Sequence, residues 1–299
     1  MNPINRAIVT FVKLLPKSVV YLFAKKYIAG ERLEDAVSVV KVLNEKGIVA
    51  TMDVLGEAVT SKAECEEAKK ECLQVLDTIK QNNLNSNLSL KPTQLGLVID
   101  PEFCYKQISE ILELAKSYNN FVRIDMEDSP TTDATIALYL RLRKKYNNVG
   151  IVVQAYLKRT LSDVQSPNLK DTSYRLCKGI YIEPEEIAFK GKQEVRDNFV
   201  AILEYLLDNG NYVGIATHDD YLINRAYEMI NKKNIDKSKF EFQMLYGVKE
   251  RLRDKINTDG YKIRIYIPFG EHWYKYSIRR LQENPNMAWH ITKSIFTFN

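Results

Sequence analysis

Eight short apolar segments, separated by stretches with helical periodicity, are spread along this chain of 299 residues. A short apolar run between polar residues predicts a buried strand, and apolar residues at helical spacing predict an amphipathic helix. Eight strand–helix units in about 250 residues have the size of a closed parallel barrel, so we predict an α/β fold of the (βα)8 TIM type. The predicted strands are Ile48–Val54, Asn87–Leu90, Phe121–Met126, Gly150–Ala155, Tyr174–Tyr181, Tyr212–Thr217, Phe240–Leu245 and Ile263–Ile267. The amphipathic stretches include Lys62–Ile79, Tyr105–Lys116, Thr132–Lys145, Val195–Leu207 and Tyr221–Asn231.

The chain before the first strand differs from the rest. Residues 1–46 are expected to form an N-terminal helical arm, and residues 47–299 the barrel. No acidic residue precedes Glu31, and lysines interrupt the apolar residues too often for a signal peptide or a membrane span. We expect the arm to pack on the barrel, and contact of this basic segment with anionic lipid stays open as an alternative.

Composition excludes several classes of protein. The net charge of +5 is modest and scattered, which does not indicate a nucleic-acid surface. The three histidines are too separated for a zinc site, so no metal is expected. No GxGxxG motif is present, so any dinucleotide must be held without a Rossmann turn. The four cysteines form no CxxC pair and indicate reduced thiols in a cytoplasmic protein: Cys65, Cys72, Cys104 and Cys177.

Polar residues stand at the end of every predicted strand. Strand C-termini and the loops after them build the active face of a parallel barrel. A buried charge is costly unless it is paired or bound to a ligand. Internal ion pairs, for example between Lys91 and Asp125, are one explanation of this pattern. A polar floor beneath a bound charged ligand is the favoured one, because the polar residues gather at one end of the strands.

A second signal lies in the last predicted helix. Tyr276, Arg279, Arg280 and Glu283 stand at i, i+3, i+4 and i+7 and share one helix face. Adjacent arginines suit a small carboxylate, which guanidinium binds through paired hydrogen bonds. An Arg–Glu pair within the helix is the alternative.

From Ala29 to Pro285 the chain resembles the monofunctional bacterial proline dehydrogenases, which are flavoenzymes with a distorted (βα)8 barrel. The resemblance rests on motifs in the expected order at the strand ends: Leu55-Gly56-Glu57, Lys91 to Gly96, Val122 to Asp128, Gln154-Ala155-Tyr156, Arg175 to Tyr181, Ala216 to Asp219, Gln243 to Gly247, and the helix from Tyr276 to Glu283. It implies an FAD cofactor, hydride transfer from L-proline to give 1-pyrroline-5-carboxylate, and a membrane quinone as electron acceptor. It also implies that the last helix covers the barrel mouth.

The resemblance further implies roles for individual residues. Arg175, Lys91 and Tyr266 would be catalytic. The substrate would be bound by Lys91, Asp125, Leu245, Tyr266, Tyr276, Arg279 and Arg280, with Glu57 pairing with the first arginine. The cofactor would be bound by Gln154, Arg175, Lys178, Tyr181, Thr217, His218 and Glu283. The family usually has alanine where this chain has Ile180, so the wall beside the flavin is expected to be bulkier.

Three other functions are compatible with parts of this pattern. A hydroxyproline dehydrogenase is disfavoured because Tyr266 against the substrate ring leaves little room for a hydroxyl. A Schiff-base aldolase would use Lys91 or Lys178, but the adjacent arginines of the last helix would have no function in that reaction. A barrel that only binds a ligand is the third alternative. No aldehyde dehydrogenase domain follows the predicted barrel, so a separate pyrroline-5-carboxylate dehydrogenase is the expected partner for the second step. The expected location is cytoplasmic, with a peripheral position at the inner face of the membrane left open.

Overall fold

The computed structural model describes residues 17–56, 59–274 and 276–278. Eight parallel strands lie in chain order around a closed barrel, in which the eighth strand pairs with the first. The predicted fold class is therefore confirmed. The strands are β1 Val49–Val54, β2 Ser86–Leu90, β3 Val122–Ile124, β4 Val149–Gln154, β5 Ser173–Cys177, β6 Tyr212–Ala216, β7 Phe240–Leu245 and β8 Ile263–Phe269.

Helices cover the outside of the barrel. Within the described ranges they are α1 Lys17–Ala24, α2 Leu33–Glu45, α3 Lys62–Gln81, α4 Pro101–Ser117, α5 Thr132–Arg143, α6 Thr160–Gln165, α7 Lys192–Asp208, α8 Asp220–Lys233 and α9 Glu250–Thr258. Their starts follow local chemistry: Ser61 and Glu64 form a capping box at α3, and Asp100 caps α4 ahead of Pro101. Every helix in these ranges is too short or too polar to cross a membrane.

The two faces of the barrel wall differ in polarity. Outward residues of the strands, such as Met52 and Ile124, are buried under the helices in one apolar core. The inward residues, which alternate with them along each strand, are mostly polar or charged. They include Thr51, Asp53, Asn87, Ser89, Arg123, Arg175, Glu241, Gln243, Arg264 and Tyr266. A barrel interior is usually filled by bulky aliphatic side chains, so this polar interior indicates that it serves more than packing.

One strand ends earlier than its apolar run predicts. We expected a strand over Tyr174–Tyr181, but β5 ends at Cys177. Gly179 follows with φ 104°, and an added Cβ there would lie 2.0 Å from the Tyr156 ring. The chain therefore leaves the barrel wall at this glycine, because only a residue without a side chain fits the turn against Tyr156.

The N-terminal segment approaches the barrel at the end of β8. Helix α2 packs on β1 and β8 and buries Val40 in the same core as the strands. Helix α1 belongs to a second apolar cluster with Leu55, Trp273 and Ile278. The division of the chain at residue 46 stays a prediction. The last helix was predicted over Tyr276 to Glu283 and expected to cover the barrel mouth; from residue 279 onward it lies outside the described residues.

Candidate active site

Lys91 follows β2 at the C-terminal end of the barrel, which we call the barrel mouth. Its Nζ lies 2.6 Å and 2.8 Å from the two carboxylate oxygens of Asp53 on β1, and 4.0 Å from Asp125 Oδ2. Burial lowers the pKa of Lys91, but the two carboxylates outweigh burial, so the pKa is raised. Lys91 is therefore a protonated cation at neutral pH. A Schiff-base lysine needs a lowered pKa, which argues against the aldolase alternative at this residue.

Arg175 lies on the inward face of β5 and is held by several neighbours. Its Nη1 donates to Asp125 Oδ1 at 2.8 Å and to Ser89 Oγ at 3.2 Å, and its Nε donates to Gln243 Oε1 at 2.7 Å. The guanidinium also lies 4.9 Å from the center of the Tyr266 ring. Partners on β2 and β7 and directly after β3 thus fix one buried cation in position.

Asp125 connects Arg175 to Tyr266. The Tyr266 hydroxyl donates to Asp125 Oδ2 at 2.9 Å, while Ser89 Oγ donates to Oδ1 at 2.7 Å. Burial raises the pKa of Tyr266 well above its usual value, and Asp125 and Asp53 raise it further. The phenol therefore stays protonated and acts as a hydrogen-bond donor at the mouth.

A chain of hydrogen bonds continues downward from Arg175 through the barrel. Gln243 Nε2 donates to Glu241 Oε1 at 2.7 Å, and Arg264 Nε donates to the same oxygen at 2.6 Å. Burial raises the pKa of Glu241, but Arg264 and Lys262 outweigh it, so the pKa falls to about 2. Glu241 is therefore ionised throughout the ordinary pH range and holds Gln243 against Arg175.

This lowered pKa predicts an acid-sensitive fold. A carboxylate whose pKa is about 2 when folded and higher when unfolded stabilises the fold above its unfolded pKa and loses that contribution as pH falls. We expect the unfolding free energy of the wild type to fall more steeply than that of Glu241→Gln between about pH 5 and about pH 2. Denaturant unfolding at several pH values measures this. Glu204→Gln, on the exposed surface, should keep the wild-type slope, and a wild-type slope in Glu241→Gln would contradict the assignment.

The residues predicted to bind a cofactor lie after β4, β5 and β6. Gln154 Nε2 donates to the Glu127 carbonyl at 2.7 Å. Lys178 and Arg196 both bind Asp219, at 3.3 Å and 2.7 Å. Burial raises the pKa of Asp219, but these two cations outweigh it and lower the pKa to about 2. Two cations therefore share one carboxylate on this side of the mouth.

The other predicted residues lie in several places. The backbone N–H of Leu245 donates to His218 Nε2 at 2.8 Å, and Thr217 is buried beside them. Tyr181 packs in a separate small cluster with Tyr156. Tyr276 packs near Leu55 and raises the pKa of Tyr266. Glu57, Arg279, Arg280 and Glu283 lie outside the described residues.

The structure adds residues to which the sequence assigned no role. An ion pair between Lys91 and Asp125 was the alternative to a ligand site, and Lys91 Nζ does lie 4.0 Å from Asp125, but its closer partner is Asp53. Ser89 and Gln243 complete the set of partners around Arg175. Asp53 could have been noticed as an acid inside an apolar run, two residues after Thr51 on the inward face of β1.

Comparisons with known proteins agree with this geometry. The family model described as proline dehydrogenase matches residues 36–292. The chain is 40% identical to proline dehydrogenase 2 of Bacillus subtilis over 263 residues, covering 88% of this chain and 87% of that protein. It is 36% identical to proline dehydrogenase 1 of the same organism, covering 92% and 91%.

A solved structure is similar over most of the chain. It is proline utilization A from Bdellovibrio bacteriovorus, inactivated by N-propargylglycine, with a TM-score of 0.81 and 27% identity. The similarity covers 91% of this chain and 34% of that one, so this chain spans about a third of that protein.

Proposed function

The chain belongs to the proline dehydrogenase family, and on that basis we propose that it oxidises L-proline to 1-pyrroline-5-carboxylate with FAD as cofactor and a membrane quinone as electron acceptor. The observation that carries the proposal is the cluster of Lys91, Asp125, Arg175 and Tyr266 at the barrel mouth. It combines fixed cations with a phenol donor in a largely buried setting. Bound FAD would supply the two-electron acceptor for the hydride from proline C5.

The residues after β5 and β6 suit this cofactor. Lys178 and Arg196 share the single carboxylate of Asp219, which leaves surplus positive charge for a pyrophosphate. We propose that they hold the phosphates together with Thr217 and His218. Gln154, Tyr181 and Glu283 are proposed to bind other parts of the cofactor.

Arg175 is proposed to face the reactive edge of the flavin. A fixed cation there stabilises negative charge that develops during reduction. Because Asp125, Ser89 and Gln243 already orient the guanidinium, it needs no rearrangement when the reaction occurs.

The substrate site is proposed on the opposite side of the mouth. Arg279 and Arg280 would bind the proline carboxylate, with Lys91 as a third cation and Glu57 pairing with Arg279. Tyr266 and Tyr276 would line the ring, and Leu245 would form an apolar wall. Asp125 orients Tyr266 through the hydroxyl, which supports this arrangement.

The reaction products need further partners. We propose that a separate pyrroline-5-carboxylate dehydrogenase consumes the product. A cytoplasmic chain must meet a membrane quinone at the inner face of the membrane, and the exposed Lys17, Lys25 and Lys26 near α1 suit anionic lipid there.

The absorption spectrum of the purified chain tests the function. We expect a flavin band that bleaches on anaerobic addition of L-proline, with pyrroline-5-carboxylate formed in equal amount, and a soluble quinone should restore the band. Acid precipitation should release FAD, and not FMN, into solution. Hydroxyproline, added in parallel, should reduce the flavin less efficiently. Absence of flavin, or a band that proline leaves unchanged, would refute the proposal.

A further inference from the structure

A second cavity lies at the opposite end of the barrel from the mouth. It has a volume of about 680 Å³ and is lined by the N-terminal ends of the strands and the loops before them. This volume is within the range of small-molecule sites. We call it the basal cavity, and its charged and polar lining includes Lys80, Arg123, Ser173, Glu241, Lys262 and Arg264.

The lining carries more positive than negative charge. Glu241 is the one acidic residue among the residues that line the cavity. Arg264 binds it at 2.6 Å and Lys262 at 3.0 Å, so its charge is already shared by two cations. No carboxylate among the described residues forms an ion pair with Arg123. Within the described part of the chain, the cavity therefore holds a cation, Arg123, without a carboxylate partner.

Arg123 is the most constrained of these cations. It is 2% exposed, and the hydrogen bonds of its Nη atoms to described residues go to neutral oxygens, those of Ser173 at 2.5 Å and 3.1 Å and the Ile151 carbonyl at 3.3 Å. Its Nε is buried and has no hydrogen-bond partner among the described residues. A buried cation with an unsatisfied N–H is costly unless a ligand completes it.

We propose that the basal cavity binds a small oxyanion, either phosphate or a compact carboxylate, between Arg123 and Lys262. The anion would give Arg123 the counter-ion that it does not find among the described residues, and the half-exposed Lys262 would reach it from the cavity entrance. Burial first, and then Arg175, lowers the pKa of Arg123 to about 9 in the unliganded chain. A bound anion opposes this shift and favors the charged guanidinium. The site is separate from the proposed substrate site and does not depend on the proposed function.

The test is a calorimetric titration of the FAD-bound full-length chain with inorganic phosphate at constant ionic strength. We expect saturable binding at one site. Lys262→Met should weaken it about tenfold or more, the value of one charge-assisted hydrogen bond. Lys255→Met is the control, because Lys255 is likewise an exposed lysine paired with one acid, Asp259, and the phosphate affinity of this variant should equal that of the wild type.

Further titrations distinguish phosphate from a carboxylate as the ligand, and the basal cavity from the barrel mouth as the site. Malonate titrated in place of phosphate shows whether the site prefers a carboxylate, and either anion supports the proposal if its affinity depends on Lys262. Tetrahydrofuroic acid, a proline mimic, should leave phosphate affinity unchanged if the anion binds at the base. Arg123→Gln should abolish phosphate binding. If Arg123→Gln does not fold, the titration of Lys262→Met tests the proposal. Absence of saturable binding, or equal affinities in Lys262→Met and Lys255→Met, would overturn the proposal.

Discussion

Replacing Arg175 with methionine is expected to slow flavin reduction by L-proline by about a hundred- to a thousandfold. Removal of one preorganised donor that stabilises developing charge has an effect of about this size on kcat. The fold should survive, because Asp125 keeps its hydrogen bonds from Ser89 and Tyr266 after the guanidinium is lost. Methionine also fills much of the space of the arginine stem. The substitution should therefore slow flavin reduction much more than it lowers the stability of the fold.

Anaerobic stopped-flow reduction measures the rate, and flavin content and thermal unfolding report on the fold. Arg225→Met is the matched control, since Arg225 is an exposed arginine paired with Glu228 on α8, and it should reduce flavin at the wild-type rate. Arg175→Lys should recover little, because an ammonium cannot reproduce the planar fork that contacts Asp125 and Gln243 together. A wild-type rate in Arg175→Met with full flavin content would make Arg175 a purely structural residue.

The barrel could be predicted from the sequence because its outer face is so regular. Outward residues such as Met52, Ile124 and Phe242 alternate with polar ones and pack under the helices, so each strand is visible as a short apolar run. The end of β5 was not visible, since it depends on the packing of Tyr156 against Gly179, which are far apart in sequence. Local sequence patterns therefore locate the strands, but tertiary contacts such as this one determine where a strand ends.

The site was predictable in part because of the family resemblance. The resemblance assigns roles to Lys91, Asp125, Arg175 and Tyr266, and the structure brings these four side chains together. Their partners were not predictable, because the choice between Asp53 and Asp125 for Lys91 depends on the stagger of neighbouring strands. The roles of Arg279, Arg280, Glu57 and Glu283 stay predictions.

The pairing of Lys91 with Asp53 predicts the largest effect on stability. Asp53 is 2% exposed and has Lys91 as its close cationic partner. We expect Lys91→Met to lower the unfolding free energy by about 3–5 kcal/mol, the cost of leaving a buried charge without its partner. Asp53→Asn should also destabilise the fold. The double variant should lose less than the sum of the two, because it removes both charges.

Denaturant unfolding of the FAD-bound chain and its variants measures these energies. Lys233→Met is the matched control, since Lys233 pairs with the exposed Asp208 and Glu204 and should cost only about 0–1 kcal/mol. Equal losses in Lys91→Met and Lys233→Met would show that the buried pair contributes no more than a surface pair. Strict additivity in the double variant would show that the two charges do not interact. A defect in proline KM of the double variant beyond that of Asp53→Asn alone reports the direct role of Lys91 at the substrate.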